Sequence, residues 1–464
     1  MEPRSLQFIA QACAGELSQG SPGVMIRGVC TDSRRVQQGD VFFALAGERF
    51  DAHSFLPEVV QRASAVVVAR ARPAITSAQC AVIRVDDTRR ALGSFAAAYR
   101  KDFTLPMVVV GGSNGKTTTK ELIASVLRQK LATLWSEASY NNDVGVPLTL
   151  LKLEHVHQAA VLEAGTNHPG ELEPLVRMIA PKYGVITSIG REHLEFFSDL
   201  AGVAHEEGWV GQVLPANGKL LIHAEGEWVT EITRRTAARV ITLGLTAGND
   251  WRARDLLPDK DGLSFTVEGP STAFQGEYRV NLFGRHQAVN ALMAIALGAE
   301  LGLSRSQIEQ GLVQSQPARM RWQLWEVNGV RVLDDAYNAN ADSMVAALRT
   351  LQDLPCKGRR LAVLGDMAEL GQHSEAAHEE VGRRAAELGV GQLFAVGKMA
   401  SVMARGARGA GLARVLEFAE VEAAAIAVKQ FVRDGDVLLL KASRATRIER
   451  VAERLRGIPA CETN

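Results

Sequence analysis

The chain has 464 residues, 52 basic and 52 acidic, with 47% hydrophobic and 22% charged side chains. Such a length calls for about three domains, and the balanced charge removes any electrostatic reason to expect nucleic acid or an acidic membrane as partner. No apolar run reaches the length of a membrane span, the opening MEPRSLQFIAQACAG lacks a secretory pattern, and five scattered cysteines in no metal spacing suit reduced thiols, so a cytoplasmic protein without membrane insertion is expected.

Residues 1–104 read as a small α/β unit, with strands AVVVA (Ala65–Ala69) and AVIRV (Ala81–Val85), a helix over Thr88–Arg100 and a linker at 103–106. An apolar, β-branched run at 105–110 then predicts a buried parallel strand. It leads into VVVGGSNGKTTTKEL, residues 108–122. The usual phosphate-loop pattern, G-x-x-x-x-G-K-[ST], needs a glycine at position 110, where this chain has Val110. The physical requirements are met nonetheless. Gly111 and Gly112 allow a tight turn, and Gly115 allows close approach to a ligand. Leu122, Ile123, Val126, Leu127 and Leu131 recur at helical spacing, so a helix N-terminus faces the loop and favours an anion. Lys116 adds a cation and Thr117 a hydroxyl suited to Mg²⁺. Gly112, Ser113, Asn114, Gly115, Lys116, Thr117 and Thr118 are therefore expected to bind ATP.

Strand and helix patterns alternate from 105 to 317, which predicts a central, P-loop-type, mostly parallel sheet with helices on both faces. A β-hairpin is expected over residues 263–282. A third unit, 318–464, repeats the alternation with RLAVLG, QLFAVG, ARVLEF and DVLLLKA. In such sheets ligands collect past the carboxyl ends of strands. Glu163 follows AAVL, and His193 follows YGVIT by a few residues; with Thr117 these form a candidate Mg²⁺ set alongside phosphates. Asn141 and Asn142 lie between the loop helix and these positions.

The ordered set G-x-N-G-K-T-T, N-N-x-x-G-V-P-L-T, E-x-G-x-N-H-P-G-E, H-L-E, G-R-H-x-x-x-N-A and D-D-x-Y-N-A-N resembles the Mur ligases of peptidoglycan synthesis. The resemblance runs through all three units, since TDSRRVQQGDVFFALAGERFDAHSF (residues 31–55) matches the family's N-terminal domain. It implies an ATP-dependent amide ligase that activates a peptide carboxylate as an acyl phosphate. EAGTNHPGEL, DDAYNANADSM and VLGDMAELG favour UDP-N-acetylmuramoyl-tripeptide as the acid and D-alanyl-D-alanine as the amine. The resemblance further implies a Rossmann-like third domain that closes on ATP and takes the dipeptide, and a monomer.

Residue by residue it implies Lys116 on the β/γ-phosphates, Thr117 and Glu163 on Mg²⁺, and His193 on a second Mg²⁺. Asn141 or Asn142 would orient phosphate. His286 and Asn290 would meet the adenine, with Arg319, Asp335 and Tyr337 closing from the third domain. Asn338, Asn340 and Ser343 would face the dipeptide. Asp32, Ser33, Arg34, Asp51 and His53 would meet the UDP-sugar; a plain surface loop is the alternative for these five. The chief departure is in AGVAHEEGWV (residues 201–210), where the family usually has a lysine carbamylated by CO₂ near Mg²⁺. Glu207 stands there, either supplying that charge directly, through water or with Glu192 or Glu206, or belonging to an exposed acidic patch. Two other readings stay open: a relative that adds another amino acid, including a polyglutamate synthase, and a non-catalytic ATP-binding relative.

Overall fold

Strand and helix alternate along the chain and build mostly parallel sheets, the α/β class that the apolar runs predict. The computed structural model describes residues 1–47, 50–72 and 80–458; Glu48, Arg49 and Cys461, which fall in stretches read above, lie outside them. Two units are defined by their internal contacts. One takes Met1–Val109, Leu131–Thr166 and Glu171–Tyr183, and the other Val110–Lys130, Asn167–Gly170 and the chain from Gly184 on.

In the first unit a five-stranded sheet runs in the order Glu16–Gln19, Ala81–Val85, Ala65–Ala69, Asp40–Phe43, Gly28–Cys30. Only the first pair is antiparallel. The helix Thr88–Arg100 starts where Asp87 accepts from the amides of Arg89 and Arg90, satisfying two of its orphan donors. It buries Leu92, Phe95 and Tyr99, and Phe95 stacks on Phe43 of the sheet. At its end the buried Arg100 guanidinium donates to the carbonyls of Phe103 (2.5 Å), Ile179 (2.9 Å) and Ala180 (3.2 Å). It thereby neutralises the carbonyl end of the helix Leu172–Ile179. The strands Thr133–Trp135 and Ala159–Glu163 pair in parallel in this unit.

In the second unit the loop helix Lys116–Leu127 packs on the helices Gln287–Glu300 and Arg305–Gln314. Gly311 is required here, because a Cβ on it would sit 2.5 Å from the Cα of Val126. The predicted hairpin is present as Leu263–Glu268 and Gly276–Val280, antiparallel. A further antiparallel strand, Trp251–Pro258, joins it on the other side. At the sheet's outer strand, Gly276–Val280, Arg305 lies 5.0 Å over the Tyr278 ring. Its guanidinium donates to the carbonyls of Gln275 and Glu277.

A six-stranded sheet follows, in the order Gln323–Val327, Val330–Asp334, Val437–Lys441, Arg360–Gly365, Gln392–Val396, Val415–Phe418. The first two form an antiparallel hairpin and the rest are parallel. Successive residues alternate between two cores: Ala362, Leu364 and Leu439 point to one, and Leu361, Val363 and Leu440 to the other. Helices therefore cover both faces, as continuous apolar strands require. No helix among the described residues is long and apolar enough to cross a membrane.

Candidate active site

The strand Met107–Gly111 ends on the phosphate loop, and Gly112 takes φ +107°, a value that favours glycine. A Cβ there would also meet Thr187 Oγ1 at 2.5 Å. The segment after the strand Tyr183–Ile186 clasps the loop. Ser113 N–H donates to Ser188 O (2.8 Å), Asn114 N–H to Ser188 Oγ (3.0 Å) and Gly190 N–H to Ser113 Oγ (2.8 Å). Gly115, at φ +90°, begins the helix Lys116–Leu127, whose positive end opens on the loop. Lys116 Nζ lies over the loop's own carbonyls, 2.5 Å from Gly112 O and 3.3 Å from Ser113 O, and 3.5 Å from Glu192 Oε2. Thr117 and Thr118 are buried in the first turn.

Beneath this loop stands Glu207, at the end of the helix Leu200–Glu207. It is fully buried, and its Oε2 accepts the Gly112 N–H at 2.6 Å. The exposed-patch reading of Glu207 is thus overturned by burial. Loss of water pushes its carboxyl up to about 7; Lys116 opposes the shift and Glu192 adds to it. Glu206 turns away and accepts from Gly170 N–H. Two buried oxygens of this cluster, Glu207 Oε1 and Glu192 Oε1, have no partner among the described residues. In the first unit Glu163 Oε1 accepts from Asn141 Nδ2 at 2.9 Å, and Glu163 Oε2 is likewise buried without a partner. Asn142 instead holds its own turn, accepting from the amides of Val144 and Gly145. His193 is left-handed (φ 49°) with Nδ1 2.5 Å from Glu369 Oε2, a bond that holds the Glu369 carboxyl below its ordinary range.

Unpartnered buried carboxylate oxygens are costly, and hard cations are the ligands that satisfy them. No group of three or more His, Cys, Asp or Glu among the described residues is placed to hold a metal ion. The unpartnered oxygens of Glu192 and Glu207 beside the loop are of the kind that Mg²⁺ takes together with phosphate and water.

The expected adenine residues form a relay to the loop. His286 faces Gln287 Nε2 at 3.0 Å, Asn290 Nδ2 donates to Gln287 Oε1 at 2.8 Å, and Asn290 Oδ1 lies 2.9 Å from where a Gly115 Cβ would be. The His286 ring packs on Trp322 with centroids 4.4 Å apart, and burial, then the Lys441 charge, holds its pKa down to about 4. Arg319 is exposed, and Tyr337 carries the Arg321 guanidinium 4.1 Å from its ring centre. Asp335 is buried against Lys441, whose Nζ also donates to Asn338 O at 3.0 Å. Asn340 and Ser343 form a reciprocal capping box on the helix Ala341–Asp353, and Asn340 Nδ2 reaches Asn114 Oδ1 at 3.0 Å.

In the first unit Asp32 accepts from the Arg34 amide and guanidinium, which holds its carboxyl down to about 2. Ser33 O accepts from Arg62. Asp51 caps the turn Ala52–Phe55 and binds His53 Nδ1 at 2.6 Å, while His53 Nε2 accepts the Ala69 amide. Sequence reasoning missed Trp322, Lys441, Glu369 and the pair Arg191–Asp342. Asn340 and Ser343, expected to face the dipeptide, stand at N-cap spacing and cap a helix instead.

Comparison with known proteins matches three family models in chain order. They are a Mur ligase family catalytic domain over 25–100, a Mur ligase middle domain over 110–298, and a Mur ligase glutamate ligase domain over 319–444. The UDP-N-acetylmuramoyl-tripeptide–D-alanyl-D-alanine ligase of Escherichia coli is 35% identical, over 98% of this chain and 99% of its own. A crystal structure of MurF from Acinetobacter baumannii superposes with TM-score 0.89 at 31% identity, covering 98% of this chain and 99% of that one. The MurF ligase of Thermotoga maritima in complex with ADP gives 0.82 at 25% identity, covering 93% and 97%.

Proposed function

This chain belongs to the Mur ligase family, and from that premise we propose that it is the ATP-dependent enzyme that joins D-alanyl-D-alanine to UDP-N-acetylmuramoyl-tripeptide. The observation that carries the reading is that the likeness runs through the whole chain, not through the nucleotide segment alone. The work belongs to peptidoglycan precursor synthesis in the cytoplasm. Three domains divide it, 1–104 for the UDP-sugar peptide, 105–317 for ATP and 318–464 for closure and the dipeptide. The three family matches support this division by falling one inside each range.

A carboxylate is a poor electrophile because its leaving group would be oxide. Its oxygen attacks the γ-phosphorus, ADP departs, and the acyl phosphate that results carries a usable leaving group. The dipeptide amine attacks the carbonyl carbon, loses a proton, and inorganic phosphate is expelled from the tetrahedral intermediate. Catalysis is then positioning and charge neutralisation. Lys116 leaves the loop carbonyls for the β/γ-phosphates, and the loop amides and helix N-terminus follow the same anion. Mg²⁺, when bound, neutralises phosphate charge; Thr117, Glu163 and His193 are the residues proposed to hold it. Glu207 puts a carboxyl at the family's lysine position without CO₂ and fixes the Gly112 amide. His286 and Asn290 serve the adenine side, Arg319, Asp335 and Tyr337 the closing side. Asp32, Ser33, Arg34, Asp51 and His53 serve the UDP-sugar, and Asn141 the nascent acyl phosphate.

The test is ADP release by the purified chain with UDP-N-acetylmuramoyl-tripeptide and a panel of amines. Turnover with D-alanyl-D-alanine, but not with diaminopimelate, lysine or glutamate, is expected. Turnover with one of those single amino acids would move the chain to another member of the family, and no ADP with any amine would make it a non-catalytic relative.

A further inference from the structure

His193 takes an uncommon backbone conformation, φ 49°, and Glu369, 176 residues on, takes another, φ 59°. Left-handed backbone is costly for a residue with a Cβ and persists only where the surroundings over-determine it. Here they do. The loop that follows the strand Arg360–Gly365 is tied down residue by residue. Asp366 accepts the amides of Lys398 at 2.8 Å and Met399 at 3.0 Å, and its carbonyl accepts the Ser443 N–H at 2.9 Å. The Met367 amide donates to His378 Nε2 at 2.9 Å, and the Ala368 amide to Ser443 Oγ at 2.8 Å. Glu369 O then accepts the Glu195 N–H at 3.0 Å. Beyond it, a Cβ on Gly371 would lie 3.2 Å from Glu195 Cα, and His373 Nε2 stands 3.1 Å from Ser198 O. The loop is thus seated against the short helix Leu194–Phe197, which His193 begins.

On this fixed platform Glu369 Oε2 lies 2.5 Å from His193 Nδ1. A carboxylate has no proton to give, so the proton of that bond is on Nδ1. In the neutral ring the lone pair is then left on Nε2. No hydrogen bond among the described residues ties that nitrogen. An untethered imidazole samples both tautomers and several ring directions, and only one combination can serve as a ligand. A carboxylate bound to the far nitrogen sets the tautomer, holds the ring's direction and raises the basicity of the free nitrogen.

From this we infer that Glu369 is a positioning residue for His193, fixing the ring so that Nε2 is offered to a divalent cation carried by the phosphates. The inference rests on the reading above that His193 is a Mg²⁺ ligand, and it adds the residue that makes it one. Glu369 acts only through the ring. Because its loop is already anchored, the ordering cost is met in folding and not when the cation binds.

The experiment compares the wild type with Glu369→Ala, Glu369→Gln and His193→Ala. The first readout is the tautomer in the metal-free protein, at a pH where the ring is neutral. Nitrogen NMR of the histidine-labelled chain gives it, with the His193 signals assigned by their loss in His193→Ala. The wild type is expected to carry the proton on Nδ1, and Glu369→Ala to show a mixture of the two forms. The second readout is Mn²⁺ affinity with a non-hydrolysable ATP analogue bound, from the electron paramagnetic resonance of the free ion. Glu369→Ala is expected to weaken one Mn²⁺ by about 10- to 100-fold, and His193→Ala at least as much. Glu369→Gln, whose amide oxygen still accepts from Nδ1–H, recovers part of the loss. A Glu369→Ala variant that keeps the wild-type tautomer, or keeps its Mn²⁺ affinity while His193→Ala loses it, would overturn the assignment. Wild-type Mn²⁺ affinity in His193→Ala would instead overturn the ligand reading, and the inference with it.

Discussion

Glu207 under the phosphate loop and Asp335 beside the six-stranded sheet are both carboxylates stripped of water, at 0% and 4% exposure. Burial raises the pKa of each. Their surroundings then diverge. Asp335 is given a whole cation, the equally buried Lys441, which also reaches Asn338 O. Glu207 is given one amide and half of a cation, since Lys116 sits among Gly112 O, Ser113 O and Glu192. One acid is closed off; the other keeps an oxygen with no partner among the described residues. The difference teaches what burial alone does not. A completed pair holds the chain's own segments together, whereas an incomplete one reserves capacity for a charge that arrives from outside.

The comparison breaks most visibly if the closed pair is opened. Lys441→Met strands the Asp335 charge and is expected to cost about 3–5 kcal/mol in urea unfolding, most of it recovered in Lys441→Met combined with Asp335→Leu. A single variant as stable as wild type would mean that the pair is not dry. At the open site Lys116→Ala is expected to lower turnover about 10²- to 10³-fold, while calorimetry finds UDP-tripeptide affinity nearly intact. Equal loss of that affinity would refute the division of labour between the loop and the N-terminal residues.

The smallest effect tests Glu207 itself. Its carboxyl ionises near 4.5 when unfolded and at about 7 when folded, so the unfolded chain gives up the proton first. Stability is then highest below pH 4.5 and falls as pH rises toward 7, after which the penalty is constant. Glu207→Gln still accepts from Gly112 and carries no such term. The thermal midpoint of the nucleotide-free wild type should therefore fall relative to this variant across that window. Parallel curves would show that the folded carboxyl is already ionised at acid pH.

Local patterns carried much of this. A β-branched run, two glycines and a 3.6-residue apolar period specify the strand, loop and helix at 107–127 wherever they occur, and the hairpin after Leu263 follows from strict alternation. What escaped was set by distance along the chain. Nothing near Gly112 points to an acid 95 residues on, nor near Arg191 to one 151 residues on. Trp251–Pro258 escaped as a strand because its register shifts between Arg254 and Leu257, which breaks the alternation. The exposed-patch alternative for Glu207 stayed open because its short helix has no clear polar face; only the tertiary packing buries it.

The Arg305 guanidinium over the outer strand has a consequence for the chain's life at high concentration. A sheet edge with free carbonyls is a template on which a second copy can lay a strand, the first step toward aggregation. By occupying the carbonyls of Gln275 and Glu277 and placing a charge there, Arg305 denies that template to neighbours. The exposed β edge thus stays inert toward neighbouring copies.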